Sequence, residues 1–121
     1  MVTRAMFIQL LLLTTLFSLP ATGFSSNTHK CVIVLHGLGR TAYSMSRIED
    51  ALENSGYHVW NESYPSTSEH IEELAITAIN EALEFCSTND TDVIHFVTHS
   101  LGGILVRQYL QKNTITGLGR I

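Results

Sequence analysis

The chain has 121 residues, of which 45% are hydrophobic and 15% charged, and this composition excludes an intrinsically disordered segment and suits one folded domain. Its net charge of −4 and the absence of any basic run give no reason to expect a nucleic-acid partner or an anionic membrane surface.

The first 23 residues have the pattern of a secretory signal peptide. Arg4 is their only charged residue, and residues 5–19 form an almost unbroken apolar run. This run is shorter than the ~20 residues that a membrane-spanning helix needs, so a signal peptide cleaved after Gly23 is favoured over an uncleaved anchor. We therefore expect residues 1–23 to be a signal-peptide helix. Residues 24–121 would then be secreted or periplasmic, with no stable membrane span.

The first strand is predicted at residues 31–36, where a continuous apolar run is typical of a parallel strand buried on both faces. Residues 37–40 break the strand. A helix follows, since its apolar residues recur at helical spacing, and Gly56 is placed to end it with a left-handed residue. The apolar face of this helix contains Met45, Ile48, Ala51 and Leu52.

A second, short strand is predicted at residues 57–60, followed by a turn-rich loop. Ser66 and Glu69 then match a capping box, which predicts the start of a helix. This helix has the clearest periodicity in the chain. Its core-facing stripe contains Ile71, Leu74, Ala75, Ala78, Ile79, Ala82, Leu83 and Cys86.

The third strand is predicted at residues 92–97, a third helix at 101–111, and the onset of a fourth strand at 118–121. Strands and helices that alternate in this way predict an α/β fold with a parallel sheet, built from three βαβ-type strands plus that onset. No linker indicates a second domain.

Functional groups in such sheets lie at the carboxyl ends of the strands. Ser100 lies in the tight turn after the third strand, and a helix starts directly after it, so the backbone N–H of Leu101 is free to bind an oxyanion. The turn after the first strand brings the N–H of Leu38 to the same edge. A hydroxyl nucleophile with two N–H donors is what acyl transfer requires. The alternative is that Ser100 is an ordinary helix N-cap.

These motifs resemble the secreted, lipase-like serine esterase group of the α/β-hydrolase fold. Four stretches agree with it in order and spacing: 36–40 (His-Gly-Leu-Gly-Arg), 64–66 (Tyr-Pro-Ser), 71–75 (Ile-Glu-Glu-Leu-Ala) and 98–107 (Thr-His-Ser-Leu-Gly-Gly-Ile-Leu-Val-Arg). The resemblance covers 31–121. It implies the N-terminal portion of one α/β-hydrolase domain that acts on a small-molecule ester or lipid without a cofactor.

The resemblance also implies roles for individual residues. Ser100 would be the nucleophile, and the backbone N–H groups of Leu38 and Leu101 would form the oxyanion hole. His99 would face away from the substrate and hold the turn. Thr98 departs from the Gly-x-Ser-x-Gly pattern, since it stands where the pattern has its first glycine. A β-branched residue at this position crowds the sharp turn. The supporting loop residues are His36, Gly37, Gly39, Thr98, His99 and Gly102.

The acid and histidine of this family follow the nucleophile, yet residues 101–121 contain no Asp, Glu or His. We therefore expect an N-terminal fragment of a serine-dependent carboxylic ester hydrolase that keeps the nucleophile and lacks the acid and base. The alternatives are an acyltransferase of the same fold and a non-catalytic, truncated or lipid-binding remnant.

Cys31 and Cys86 are the two cysteines, and their spacing alone allows either a disulfide or two buried thiols. In the fold that the resemblance implies, both lie at the amino edge of the sheet, which favours a disulfide. Trp60 and Tyr64 fit either an acyl pocket or core packing. No residues have metal-ligand spacing, so no metal is expected.

Overall fold

A computed structural model of the chain describes Asn27 and residues 29–121, so the predicted signal peptide lies outside the described residues. Among the described residues, no helix is long and apolar enough to cross a bilayer. Strands and helices alternate as the sequence predicts, and a 3₁₀ turn (Ala42–Met45) precedes α1. The elements are β1 (Lys30–Leu35), α1 (Ser46–Asn54), β2 (His58–Trp60), α2 (Ile71–Thr88), β3 (Val93–Thr98) and α3 (Leu101–Leu110).

The three strands form one parallel sheet in the order β2-β1-β3. Because β1 lies between the other two strands and has helices over both faces, its apolar run from Cys31 to Leu35 is buried. The predicted α/β fold with a parallel sheet is thus confirmed. The predicted fourth strand is represented by one isolated parallel bridge between Ile94 and Leu118.

Two hydrophobic clusters lie on opposite faces of the sheet. The smaller one contains Val32, Val34 and Val59 with Met45 from the turn before α1. The larger one joins the sheet to α2 and α3, and it contains most of the predicted stripe of α2. Ile71 is an exception, with 40% of its surface exposed, because it is the first residue of α2 and lies beyond the packed part of the helix.

The predicted capping box is wrong. His70 occupies the N-cap position of α2, and no side chain caps this helix. The Ser66 hydroxyl instead accepts a hydrogen bond from the backbone N–H of Gly39, at 3.0 Å. Its partner lies in the loop after β1, 27 residues away in sequence, so a local pattern could not reveal it.

The amino edge of the sheet is closed by a disulfide between Cys31 and Cys86, the predicted pair. It joins the start of β1 to the last turn of α2, with a Cα–Cα distance of 5.6 Å, and both residues are fully buried. The bond therefore ties α2 to the sheet at the edge opposite to the turn between β3 and α3.

Candidate active site

Ser100 occupies a sharp turn between β3 and α3. Its backbone has φ 52° and ψ −113°, a positive φ that side chains rarely adopt. Such a conformation costs about 1–3 kcal/mol and persists only where the surroundings impose it. Here the N–H of His99 donates to the carbonyl oxygen of Leu35 at 3.0 Å, so the end of β1 holds the turn.

Two glycines let α3 begin this close to the sheet. A Cβ at Gly102 would lie 2.6 Å from the carbonyl oxygen of Leu35, so only glycine fits there without a shift of the backbone. A Cβ at Gly103 would lie 3.3 Å from Oγ1 of Thr98. Because Gly103 has no side chain, the first turn of α3 leaves room for the β-branched side chain of Thr98.

The hydroxyl of Ser100 does not cap the helix that it precedes. Ser100 is exposed and stands at the N-cap position of α3, but its side chain makes no capping hydrogen bond. Ser100 thus occupies the N-cap position without the side-chain bond that an ordinary N-cap serine makes. Among the described residues, the histidines whose side chains form hydrogen bonds are His29, His36 and His95, and none of these side chains bonds to Ser100.

The loop after β1 lies directly against this turn. A Cβ at Gly37 would be 2.6 Å from Nδ1 of His99 and 3.4 Å from Cβ of Ser100, which makes the two loops neighbours. The N–H of Arg40 donates to the carbonyl oxygen of Gly37 at 3.1 Å, and Gly39 has φ 66°. This tight turn leaves the side chain of Leu38 exposed at its apex.

The two predicted oxyanion donors belong to these neighbouring loops. Within the described part of the chain, neither the N–H of Leu38 nor that of Leu101 donates a backbone hydrogen bond. Leu101 begins α3, where N–H groups have no partner within the helix and the helix dipole is positive. The neighbouring loops thus carry a serine hydroxyl and two backbone donors without hydrogen-bond partners, and these are the groups that attack on a carbonyl carbon and binding of the resulting oxyanion would require.

Behind the loop, His36 is fully buried and stacks on Tyr64, with 3.8 Å between ring centroids and 11° between planes. Its Nε2 accepts the N–H of Tyr64 at 3.2 Å, which assigns the ring proton to Nδ1, and Nδ1 lies 2.9 Å from the carbonyl oxygen of Gly37. The Tyr64 hydroxyl donates to the carbonyl oxygen of His36. Burial raises the pKa of Tyr64 well above its ordinary value.

Trp60 and Tyr64 are both buried in the larger cluster, as the packing interpretation of these two residues predicts. Sequence reasoning missed the contact of Tyr64 with His36. The only signal available was the presence of a buried-strand histidine and a later Tyr-Pro-Ser stretch, which does not specify their pairing.

His99 is exposed and lines an open cleft of about 620 Å³, together with Arg40 and residues of the 3₁₀ turn and α1. Ser100 is not among the residues that line this cleft. The cleft therefore borders the turn through His99 on the α1 side. In residues 27 and 29–121, no group of three or more His, Cys, Asp or Glu side chains is placed to hold a metal ion.

Comparison with known proteins adds no assignment to this geometry. No protein-family model matches the chain, and no curated protein matches it significantly.

Proposed function

We propose that this chain has the fold and the nucleophile of a serine-dependent carboxylic ester hydrolase of the lipase or esterase type, with Ser100 as that nucleophile. The proposal depends chiefly on Ser100, whose backbone has φ 52° and whose exposed hydroxyl does not cap α3. Strained residues of this kind cluster at active sites, where the conformation presents a reacting group. The loop after β1, in which Gly37 lies beside the Ser100 turn, supports the same interpretation.

In the proposed reaction, the Ser100 oxygen attacks the ester carbonyl carbon and loses its proton to a base. The carbonyl oxygen becomes an oxyanion, which the N–H groups of Leu38 and Leu101 stabilise. Collapse of this intermediate breaks the bond to the alcohol oxygen, which leaves with a proton, and the acyl group remains on Ser100. Water then attacks the acyl-enzyme and releases the acid.

No side-chain hydrogen bond joins a histidine or carboxylate of the described residues to Ser100, and residues 101–121 contain no Asp, Glu or His. We accordingly propose that this chain lacks the acid and histidine of the triad. Loss of triad members removes most of the rate but leaves the contribution of the oxyanion hole and of binding. The chain alone should therefore react slowly and only with activated esters.

The substrate class that suits this chemistry is a small-molecule ester or a lipid, and the reaction needs no cofactor. We further propose that the chain is exported to a secreted or periplasmic location. The buried disulfide between Cys31 and Cys86 supports this, since disulfides persist in oxidising compartments.

The test is acylation of the full chain, with its disulfide formed, by excess p-nitrophenyl butyrate, followed by intact-mass measurement and peptide mapping. One butyryl group on Ser100 is expected, and Ser100→Ala should remain unmodified. Ser55→Ala is the matched control, because the Ser55 hydroxyl donates to the carbonyl oxygen of Ala51 far from the site, at 2.8 Å.

Equal modification of the unsubstituted chain and of Ser100→Ala would overturn the proposed nucleophile. Rapid Ser100-dependent turnover, well above the rate in buffer, would instead overturn the statement that the base is missing.

A further inference from the structure

The buried polar side chains of the described residues are concentrated beside the candidate active site. They are His36, Asn61 and Ser66. Buried polar groups require hydrogen-bond partners, and the partners show what such groups hold in place. Two of the three lie in residues 61–66. These residues are the first part of the connection between β2 and α2, and we call them the brace loop.

The brace loop is bonded along its length to the chain that follows β1. The Asn61 amide donates to the carbonyl oxygen of Ala42, and the N–H of Ala42 donates to the Ser63 hydroxyl, both at 3.0 Å. The Ser66 hydroxyl accepts the N–H of Gly39 at 3.0 Å. The brace loop thereby fixes two points of the segment that contains Leu38.

Tyr64 supplies the third attachment, through His36. Its backbone N–H bonds to Nε2 of the imidazole, its ring stacks on the imidazole, and its hydroxyl donates to the carbonyl oxygen of His36. The raised pKa of Tyr64 keeps that hydroxyl protonated, and so a donor, through neutral and mildly alkaline pH.

These attachments determine where the N–H of Leu38 points. The carbonyl oxygen of Gly37 accepts hydrogen bonds from Nδ1 of His36 at 2.9 Å and from the N–H of Arg40 at 3.1 Å. Because a trans peptide is planar, the N–H of Leu38 points away from that carbonyl oxygen. A flip of this peptide would break both bonds and turn the donor away from the oxyanion.

We propose that Tyr64 and Ser66 are positioning residues of the oxyanion hole, which hold the peptide between Gly37 and Leu38 in the orientation that an ester oxyanion requires. Tyr64 acts on this peptide through His36, and Ser66 acts through Gly39. The inference rests on the proposed function. It assigns to the Tyr-Pro-Ser stretch a task beyond core packing.

The test compares acylation kinetics of Tyr64→Phe and Ser66→Ala with those of the full unsubstituted chain, using p-nitrophenyl butyrate. Both variants should lower the acylation rate at saturating ester by roughly tenfold, a part of the loss seen when an oxyanion donor is removed outright. The ester concentration at half-saturation should not change, because the oxyanion hole binds the oxyanion formed during attack and contributes little to binding of the uncharged ester. Ser66→Thr should recover most of the rate, and Ser55→Ala should match the unsubstituted chain.

A second measurement separates positioning from general stability. Amide hydrogen exchange at Gly39 should become faster in Ser66→Ala than in Ser55→Ala, while the thermal unfolding midpoints of the two variants stay close. If Ser66→Ala does not fold, Tyr64→Phe and Ser66→Thr provide the kinetic comparison.

Unchanged acylation rates in folded Tyr64→Phe and Ser66→Ala would overturn this inference and leave the proposed function intact. A raised half-saturating concentration with an unchanged rate at saturating ester would also overturn it, since it would indicate loss of binding instead. Failure of the unsubstituted chain to acylate Ser100 would overturn the proposed function, and the inference with it.

Discussion

The two edges of the sheet are stabilised in different ways. At the amino edge, a buried disulfide joins β1 to α2, and the surrounding residues are apolar. At the carboxyl edge, the chain is held by hydrogen bonds of buried polar side chains, and the nucleophile candidate is strained and exposed. Covalent closure at one edge stabilises the fold, and directional bonds at the other hold the loops of the candidate active site in defined positions.

A positive φ in a non-glycine residue does not by itself mark the functional edge. The amino edge has such a residue too, since Asp90 has φ 51°, close to the 52° of Ser100. Asp90 lies in the loop after α2, and aspartate tolerates this region better than most residues. Ser100 differs in three respects: its ψ is −113°, its hydroxyl does not cap the helix that follows, and it lies beside the loop after β1. These features together distinguish the candidate active site.

Removal of the disulfide should give the largest loss of stability. The double change Cys31→Ala and Cys86→Ala releases a loop whose ends are 55 residues apart. The chain-entropy relation for such a loop gives a loss of about 4 kcal/mol in the free energy of unfolding. Urea denaturation of the oxidised chain and of the double variant measures this difference.

The same double variant tests whether the two edges are independent. Acylation of Ser100 per folded molecule should stay at the level of the unsubstituted chain, since the disulfide touches neither loop of the site. A loss of stability below about 1 kcal/mol, or a selective loss of acylation in the folded fraction, would contradict the assignment of the disulfide as a staple of the amino edge alone.

At the carboxyl edge, Gly102→Ala should destabilise the fold by about 1–3 kcal/mol, the usual range for overpacking. Its new Cβ would lie 2.6 Å from the backbone oxygen of Leu35, so α3 would have to move. Gly103→Ala is the matched control. Its Cβ would meet the Thr98 side chain at 3.3 Å, and alanine favours the helix, so little net loss is expected. Equal unfolding midpoints for the two variants in urea would show that α3 is not seated against β1 as described.

Local sequence patterns predict the strands and helices, but they do not predict the long-range hydrogen bonds that hold the loops beside Ser100. The apolar run of β1 and the residues around Ser100 predict the sheet edge because burial and turn geometry depend on neighbouring residues. The spacing of Ser66 and Glu69 predicts a capping box, but the hydrogen-bond partner of Ser66 is Gly39, which is distant in sequence. The sequence leaves the role of Tyr64 open for the same reason, since its contact with His36 spans 28 residues. Long-range hydrogen bonds of buried side chains have no periodic signal.

Relief of backbone strain at Ser100 should have a smaller effect and the opposite sign. Ser100→Gly should be more stable than Ser100→Ala by about 1 kcal/mol, because glycine adopts positive φ without a steric cost while its larger chain entropy offsets part of the gain. Both variants should fail to form the acyl-enzyme, so only stability separates them. Urea denaturation of this pair measures the difference, and a Ser100→Ala variant more stable than Ser100→Gly would mean that the turn is unstrained.

The smallest expected effect is a pH dependence at His95, which lies on β3 between the two edges. Its Nδ1 accepts the N–H of Arg120 at 2.9 Å, a bond that requires an unprotonated nitrogen. Burial, followed by the charges of Lys30 and Arg120, lowers the pKa of His95 below its ordinary value of 6.5. Its ring also meets that of Tyr57 edge-on, with centroids 6.4 Å apart.

Between the lowered pKa and 6.5, the unfolded chain binds a proton at His95 more readily than the folded chain does. The contribution of His95 to stability is therefore fully present above pH 6.5 and is lost as the pH falls through its folded pKa. Urea midpoints measured from about pH 7.5 down to about pH 5 should fall more steeply for the unsubstituted chain than for His95→Gln, which has no titrating ring. His58→Gln, a change of a histidine on β2 without such a bond to Arg120, is the matched control and should keep the steeper slope. Equal slopes for the unsubstituted chain and His95→Gln would show that the contact of the C-terminal residues with β3 does not depend on the protonation of His95.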